Sequence, residues 1–186
     1  SDPRHDQMLS VAAVLTDEDL NARQSLSLRC RLRPHQLPAA EALLLTGLSM
    51  ADITDPERPT FGEMVSTLRE RLLAWKPAVF AGYSSLEFDE PLLAQSLRRC
   101  GHPDDLSCPL RLDLQRLALG IHEFDPAAIA FTRRFDGKPS FRLVDVAAVN
   151  GITPGRAHDA MGDVTTTLAL ARLMKQRAPW LWSHML

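Results

Sequence analysis

Two acidic segments carry the side chains best suited to chemistry, and the first is AHDAMGDV at residues 157–164. His158 and Asp163 lie five positions apart, where a loop enters a predicted helix. Five helical residues turn the chain by about 500°, so the two side chains would not share one helix face. Both can still point into one cleft if His158 precedes the helix. The competing interpretation is that Asp159 caps the helix and the histidine is solvated.

The second segment is GYSSLEFDE at residues 82–90, which follows a short apolar run. A carboxylate just beyond the carboxyl end of a strand lies where open α/β sheets bind ligands. Asp89 is that candidate, with Glu87 and Glu90 as neighbours. The alternative is a helix start whose acidic residues complement the helix dipole. Asp113 in the segment RLDL is interpreted as structural.

Two further segments could hold a substrate. In GKPSFRL, Ser140 can cap a helix, Phe141 can stack or bury, and Arg142 can reach a phosphate. In LLTGLS, the turn formed by Leu45, Thr46 and Gly47 ends a helix. Its simpler interpretation is a glycine that terminates that helix.

The elements that must position these residues alternate along the chain. Periodicity predicts strands at 8–16, 25–32 and 78–83, and helices at 38–45, 60–75, 86–100, 140–149, 159–177 and 180–186. Residues 110–119 are predicted to hold a short strand and the start of another helix. The first two strands should pair as an antiparallel hairpin. The order predicts one α/β domain with a mixed sheet flanked by helices.

Composition narrows the function classes. The chain has 186 residues and a formal net charge of −2, so polyanion binding would need a local patch or metal ions. No apolar run approaches the roughly 20 residues that span a bilayer. Three irregularly spaced cysteines favour reduced thiols in the cytoplasm. Cys100, His102 and Cys108 lack the paired spacing of a structural zinc site.

Taken together, the segments resemble bacterial exonuclease I, a DEDD-type 3′→5′ exonuclease of the histidine subtype with an RNase H-like fold. The similarity runs in order through nearly the whole chain: DQMLSVAAVLTDEDLN, LLLTGLS, VFAGYSSLEFDE, RLDL, GKPSFRLVDVAAVNGI and AHDAMGDVTTTLALARLMK. It implies hydrolysis of single-stranded DNA to 5′-mononucleotides in repair or recombination. A single-stranded DNA-binding protein is a further implied partner, and no membrane is implied.

The resemblance also implies roles for the residues. Asp89 and Asp163 match metal-binding carboxylates, which in an intact site hold two Mg²⁺ or Mn²⁺ ions, and His158 matches the general base. Phe141 and Arg142 would hold the strand, and the turn at Leu45, Thr46 and Gly47 would contact the terminal nucleotide.

This sequence departs from the family pattern in one respect. The family places an Asp-x-Glu motif on a first, central strand, and no such element is present. We therefore expect residues 1–186 to be an exonuclease domain truncated at its N-terminus, without the family's SH3-like and helical domains. Two alternatives stay open: a catalytically incomplete module that binds nucleic acid or a protein partner, and an RNA-directed relative of oligoribonuclease type.

Overall fold

The computed structural model describes residues 6–103, 106, 110–155 and 160–186. Within these residues the strands are β1 (Ser10–Thr16), β2 (Ala22–Arg29), β3 (Phe80–Gly82) and β4 (Arg111–Asp113), and the helices are α1 (Ala40–Thr46), α2 (Met50–Thr54), α3 (Phe61–Ala74), α4 (Asp89–Arg99), α5 (Leu114–Phe124), α6 (Leu143–Val149), α7 (Ala160–Arg177) and α8 (Pro179–Met185). None of these helices has the length and apolar character needed to cross a membrane.

The predicted antiparallel hairpin is confirmed. β1 and β2 pair from Ser10 opposite Arg29 to Thr16 opposite Ala22, with an irregularity near the turn. Asp17 orders that turn, because its carboxylate accepts the Asn21 backbone N–H at 2.7 Å. The alternating leucines of β2 pack against the core, while most of the strand is exposed.

The second strand pair is parallel and lies beside the acidic segment. β3 pairs with β4 in a register that sets Phe80 opposite Arg111 and Gly82 opposite Asp113. α4 lies between them in the chain, as a parallel connection requires. Among the described residues, β1 bonds only to β2 and β3 only to β4. Antiparallel and parallel pairing are thus both present, as a mixed α/β fold predicts.

Two apolar clusters form the core. One joins β4, α5, α6, α7 and α8 around residues such as Leu117, Val146 and Met174. The other packs α3 and α4 against the β1–β2 hairpin around residues such as Val65 and Leu97. The β3–β4 pair lies between the two clusters, because Phe80 of β3 packs against the second and Leu112 of β4 belongs to the first.

Local signals explain most helix ends. Thr60 and Glu63 form a reciprocal capping box at the start of α3. Ser49 and Asp52 form another on α2, a five-residue helix that periodicity did not predict because it is too short to show a pattern. The predicted starts of two helices were three residues early: α4 begins at Asp89 and α6 begins at Leu143.

Helix α7 also holds the tip of the hairpin. The Arg172 guanidinium donates from Nε and Nη2 to the Leu20 carbonyl oxygen, at 2.9 and 2.6 Å. Lys175 donates to the Glu18 carbonyl oxygen and lies 3.6 Å from an Asp19 carboxylate oxygen. Because α7 carries Asp163 in its first turn, one helix connects the hairpin with the acidic residues.

We expect Arg172→Ala to lower the free energy of unfolding by about 1 kcal/mol, because two hydrogen bonds from a charged donor are lost. Backbone amides of β1 and β2 should exchange with solvent faster, since the hairpin tip is released. Denaturant unfolding and hydrogen exchange measure both effects. Gln176→Ala, an exposed change on the same helix, is the control. Equal behaviour of the two variants would contradict this role of Arg172.

Candidate metal and substrate site

Asp89 is the first residue of α4, directly after the turn that follows β3. The residue is exposed, but protein packed around its carboxylate removes water from it. That burial is the main cause that raises the pKa of Asp89 from 3.8 to about 6, followed by the negative charges of Asp113, Asp163 and Glu90. A carboxylate with a raised pKa among other acids is typical of a functional site.

Asp163 lies in the first turn of α7 and is half-buried. Its charge is one of those that raise the pKa of Asp89, so the two carboxylates interact although they lie on different helices. The chain before α7 packs tightly on this turn: a Cβ on Gly155 would lie 2.5 Å from the Gly162 Cα. The Gly155 N–H donates to Thr166 Oγ1 at 2.9 Å. Close backbone packing therefore fixes the helix turn that carries Asp163.

Asp113, at the end of β4, fixes the turn that carries Asp89. Its carboxylate is buried and accepts the backbone N–H groups of Ser84 at 3.0 Å and Leu86 at 3.4 Å. The same carboxylate caps α5 by accepting the N–H groups of Gln115 at 2.9 Å and Arg116 at 3.4 Å. The structural interpretation of Asp113 is confirmed, and its position relative to Asp89 adds a role that the sequence did not reveal.

The turn after β3 also needs glycine at its start. A Cβ on Gly82 would lie 2.5 Å from the Ser85 Cβ and 2.8 Å from its Oγ. Ser84 adopts a φ of 58°, in the left-handed region that few residues other than glycine favour. The turn is therefore compact, and its backbone N–H groups point at Asp113.

Tyr83 connects this turn to the segment that contains Phe141. Its hydroxyl donates to the Phe141 carbonyl oxygen at 2.7 Å, and Gln115 Nε2 donates to the same oxygen at 3.3 Å. Burial, followed by the charges of Asp113 and Asp145, raises the pKa of Tyr83. The hydroxyl therefore stays protonated and able to donate. Sequence reasoning missed Tyr83, although its place between a strand end and the acidic segment was a usable signal.

The Phe141 ring belongs to an aromatic group. Its centroid lies 5.2 Å from that of Phe131 and 5.5 Å from that of His122. Ser140, next to it, does not cap α6 as predicted: its hydroxyl donates to the Asp145 carboxylate, and Arg142 occupies the N-cap position. The Arg142 side chain is 77% exposed and lies 4.0 Å from Asp145. It is thus able to reach a bound anion.

The predicted turn at Leu45, Thr46 and Gly47 ends α1. Gly47 is the C-cap with a φ of 66°, so the simpler interpretation of this glycine is confirmed. The Thr46 hydroxyl lies 3.5 Å from the Leu43 carbonyl oxygen. Contact of this turn with a substrate stays a prediction.

Part of the predicted site lies outside the described residues. His158 and the neighbouring Asp159 belong to residues 156–159, which the structure does not describe. In the part of the chain that is described, no three His, Cys, Asp or Glu side chains converge as a metal site. Cys30 and Cys100 are free thiols there. Among the described residues, Asp89 and Asp163 are the two predicted carboxylates, and the charge of Asp163 contributes to the raised pKa of Asp89.

The fold and this acidic pair define an α/β protein of the RNase H-like type, with carboxylates at the start of two helices. Exodeoxyribonuclease I of Escherichia coli strain K12 is 30% identical over 194 residues, covering 98% of this chain and 39% of that protein. No protein-family model matches the chain.

Solved structures agree with the sequence comparison. A crystal structure of E. coli exonuclease I with a dT13 oligonucleotide superposes with a TM-score of 0.92 at 27% identity, covering 99% of this chain and 40% of that one. The zinc-bound form of an E. coli exonuclease I complex with single-stranded DNA superposes with a TM-score of 0.90 at 26% identity, covering 98% and 40%. The chain is a relative of bacterial exonuclease I and spans about two fifths of the length of these relatives.

Asp89→Asn should stabilise the metal-free protein above pH 6. The pKa of Asp89 is about 6 in the folded chain and 3.8 ordinarily, so the folded state binds more protons between those values. The stability of the parent chain therefore falls as pH rises through this window. The melting temperature in EDTA should be higher for Asp89→Asn at pH 7 and equal for both proteins below pH 4. Glu123→Gln, on the exposed side of α5, is the control.

Asp113→Asn should lower the free energy of unfolding by about 1–3 kcal/mol, because an amide nitrogen would face backbone N–H groups that need an acceptor. Displacement of the turn should also weaken binding of a divalent cation at Asp89, which the shift in melting temperature on adding Mg²⁺ would measure. Asp125→Asn is a suitable control, since the described hydrogen bonds of Asp125 use its backbone. An Asp113→Asn chain that is destabilised but keeps its full Mg²⁺ response would show that Asp113 does not position Asp89.

Proposed function

We propose that this protein is the nuclease domain of a metal-dependent 3′→5′ exodeoxyribonuclease, which hydrolyses single-stranded DNA to 5′-mononucleotides in repair or recombination. The main support is the position of two carboxylates, Asp89 in the first turn of α4 and Asp163 in the first turn of α7, with the charge of Asp163 contributing to the raised pKa of Asp89. The solved relatives that bind dT13 and other oligonucleotides add support for a single-stranded DNA substrate. A single-stranded DNA-binding protein would be a partner, and the cytoplasm its place of action.

Asp89 and Asp163 fit a hard divalent cation. Both supply carboxylate oxygens, the ligands that Mg²⁺ and Mn²⁺ prefer, and their mutual repulsion would be relieved by a cation. When bound, a pair of such cations activates water and stabilises negative charge on the phosphate. A zinc-bound relative supports a metal site in this fold, and Mg²⁺ or Mn²⁺ is our proposal for this chain.

His158 would accept the proton of the attacking water. An imidazole titrates near neutral pH, which suits a general base. This role rests on the resemblance of AHDAMGDV to the family motif and on Asp163, five residues later in the chain. His158 is the only histidine of this motif and would act as the base. The carboxylates Asp89 and Asp163 would bind the metal.

Phe141 and Arg142 would hold the DNA strand. Arg142 is exposed and can contact a phosphate, while Phe141 is fixed by the Tyr83 hydroxyl and can offer a stacking surface. The turn at Leu45, Thr46 and Gly47 would lie against the terminal nucleotide. Each of these contacts would be independent of base sequence.

A further strand would complete the catalytic domain. In the described residues, β1 has only β2 as a ladder partner and β3 has only β4, so each pair retains an edge without backbone partners. Unpaired donors and acceptors are costly when they are buried. We propose that the full-length protein inserts the family's Asp-x-Glu strand between β1 and β3, which would add two carboxylates to Asp89 and Asp163. Residues 1–186 would then be the remainder of this exonuclease domain.

The test is release of nucleotides from 3′-labelled single-stranded DNA in Mg²⁺. We expect little or no release by residues 1–186 alone and clear release once the Asp-x-Glu segment is supplied. In the completed protein, His158→Ala should slow release by about 10²–10⁴-fold, the usual effect of losing a general base. His184→Ala, an exposed histidine of α8, is the matched control.

The outcomes separate the proposal from its alternative. A completed protein that binds single-stranded DNA but never cleaves it would favour a catalytically incomplete binding module. That alternative rests on the lack of the family's Asp-x-Glu strand in residues 1–186. Preference for RNA oligonucleotides over DNA would favour the oligoribonuclease type. Unchanged cleavage by His158→Ala would remove the general-base role from His158.

A further inference from the structure

The segment between Phe131 and Phe141 projects a tip that combines an exposed aromatic ring with cations. The tip, residues 133–138, has the sequence RRFDGK. The Phe135 side chain is fully exposed, with a relative accessibility of 112%. Around it stand Arg133, Arg134 and Lys138, all exposed, and one carboxylate, that of Asp136. In a chain whose net charge is −2, this is a local positive surface.

The tip is an ordered turn. The Arg134 N–H donates to the Lys138 carbonyl oxygen at 2.7 Å, and the Gly137 N–H donates to the Arg134 carbonyl oxygen at 2.9 Å. Gly137 has a φ of 79°, which closes the turn. Below it, Arg133 bridges to Pro139 in an antiparallel pair, and its guanidinium donates to the Gly137 carbonyl oxygen at 2.9 Å. These bonds keep the Phe135 ring exposed to solvent, although burial of the ring would be energetically favourable.

The cations of the tip are only weakly neutralised. Arg134 lies 3.9 Å from the Asp136 carboxylate, and its side chain is 63% exposed. An ion pair of this kind in water contributes little free energy. Asp136 also accepts the Lys138 backbone N–H, so its carboxylate serves the turn. Three positive charges against one negative charge thus remain available to a polyanion.

The base of the tip is the aromatic group of the candidate site. The tip lies between Phe131 and Phe141 in the chain. The rings of these two residues lie 5.2 Å apart. The Ser140 N–H donates to the Thr132 carbonyl oxygen at 2.8 Å, which closes the two sides of the base. A strand held at Phe141 and Arg142 would therefore have the tip within reach of its next nucleotides.

We propose that the tip at residues 133–138 is an accessory contact for single-stranded DNA, in which Phe135 stacks on a base and Arg134 and Lys138 contact phosphates. The inference rests on the proposed function and adds a contact outside the catalytic residues. Exposed aromatic rings beside cations are the usual means of binding single strands without sequence preference. The occupant is a nucleic acid because the surface around the ring is positive.

The test measures binding of fluorescent oligothymidylate to the full chain by anisotropy in EDTA, where metal-dependent cleavage cannot occur. An oligonucleotide of about 4 nucleotides would contact only the site at Phe141 and Arg142, whereas one of about 16 nucleotides would also reach the tip. Phe135→Ala should weaken binding of the long oligonucleotide about tenfold and leave the short one unchanged. Arg134→Ala and Lys138→Ala should each reduce the salt dependence by about 0.7 in the slope of log affinity against log salt.

Phe124→Ala is the matched control, because Phe124 is also exposed, at 72%, but stands between Glu123 and Asp125. It should bind both lengths as the parent does. Equal binding by Phe135→Ala and the parent overturns the tip contact while the proposed function stands. If the parent chain does not bind the long oligonucleotide, the tip contact is overturned, whereas the proposed function is decided separately by nucleotide release from the completed protein in Mg²⁺. If Phe135→Ala converts a dimer to a monomer with DNA affinity unchanged, the tip is a contact between two copies.

Discussion

The buried carboxylate of Asp113 is the constraint on which the site depends. It accepts backbone N–H groups from two places at once, the turn after β3 and the first turn of α5. The turn determines where α4 begins and therefore where Asp89 lies. Helix α5 belongs to the apolar cluster that also contains α7. One side chain therefore couples the position of Asp89 to the packing beneath Asp163. A hydrogen-bonded buried carboxylate can do this because its acceptors are satisfied by the backbone.

The same arrangement leaves the site electrostatically unfavourable. Asp89 has a raised pKa because protein surrounds it and because Asp113 and Asp163 carry the same charge. A carboxylate with a raised pKa lowers the stability of the folded chain at neutral pH. A divalent cation held by Asp89 and Asp163 would relieve this repulsion. Asp113 supports the turn before Asp89, and the close packing of Gly155 on Gly162 supports the helix turn that carries Asp163.

The elements that sequence predicted well are those with a long periodic pattern. The β1–β2 hairpin, α3 and α7 follow from alternation, capping residues and helical spacing. Helix α2 and the start of α6 were missed because short elements depend on individual side-chain bonds, such as those of Ser49 and Ser140. The acidic pair was predicted through family resemblance, whereas Asp113 was not connected to it. That link depends on the Gly82–Asp113 register, which no local pattern reveals.

Net charge conceals the distribution that matters for a polyanion. The acidic residues that lower the total include Asp89 and Asp163, whose charge a cation would offset, whereas Arg133, Arg134 and Lys138 lie together on one exposed tip. Screening in physiological salt limits such fields to about 8 Å, so a strand would respond to each region separately. A slightly acidic protein can therefore hold DNA, provided that its cations and metal ligands meet the backbone at different nucleotides. The aromatic group of His122, Phe131 and Phe141 lies at the base of the tip, and the Tyr83 hydroxyl connects its Phe141 backbone to the turn that precedes Asp89.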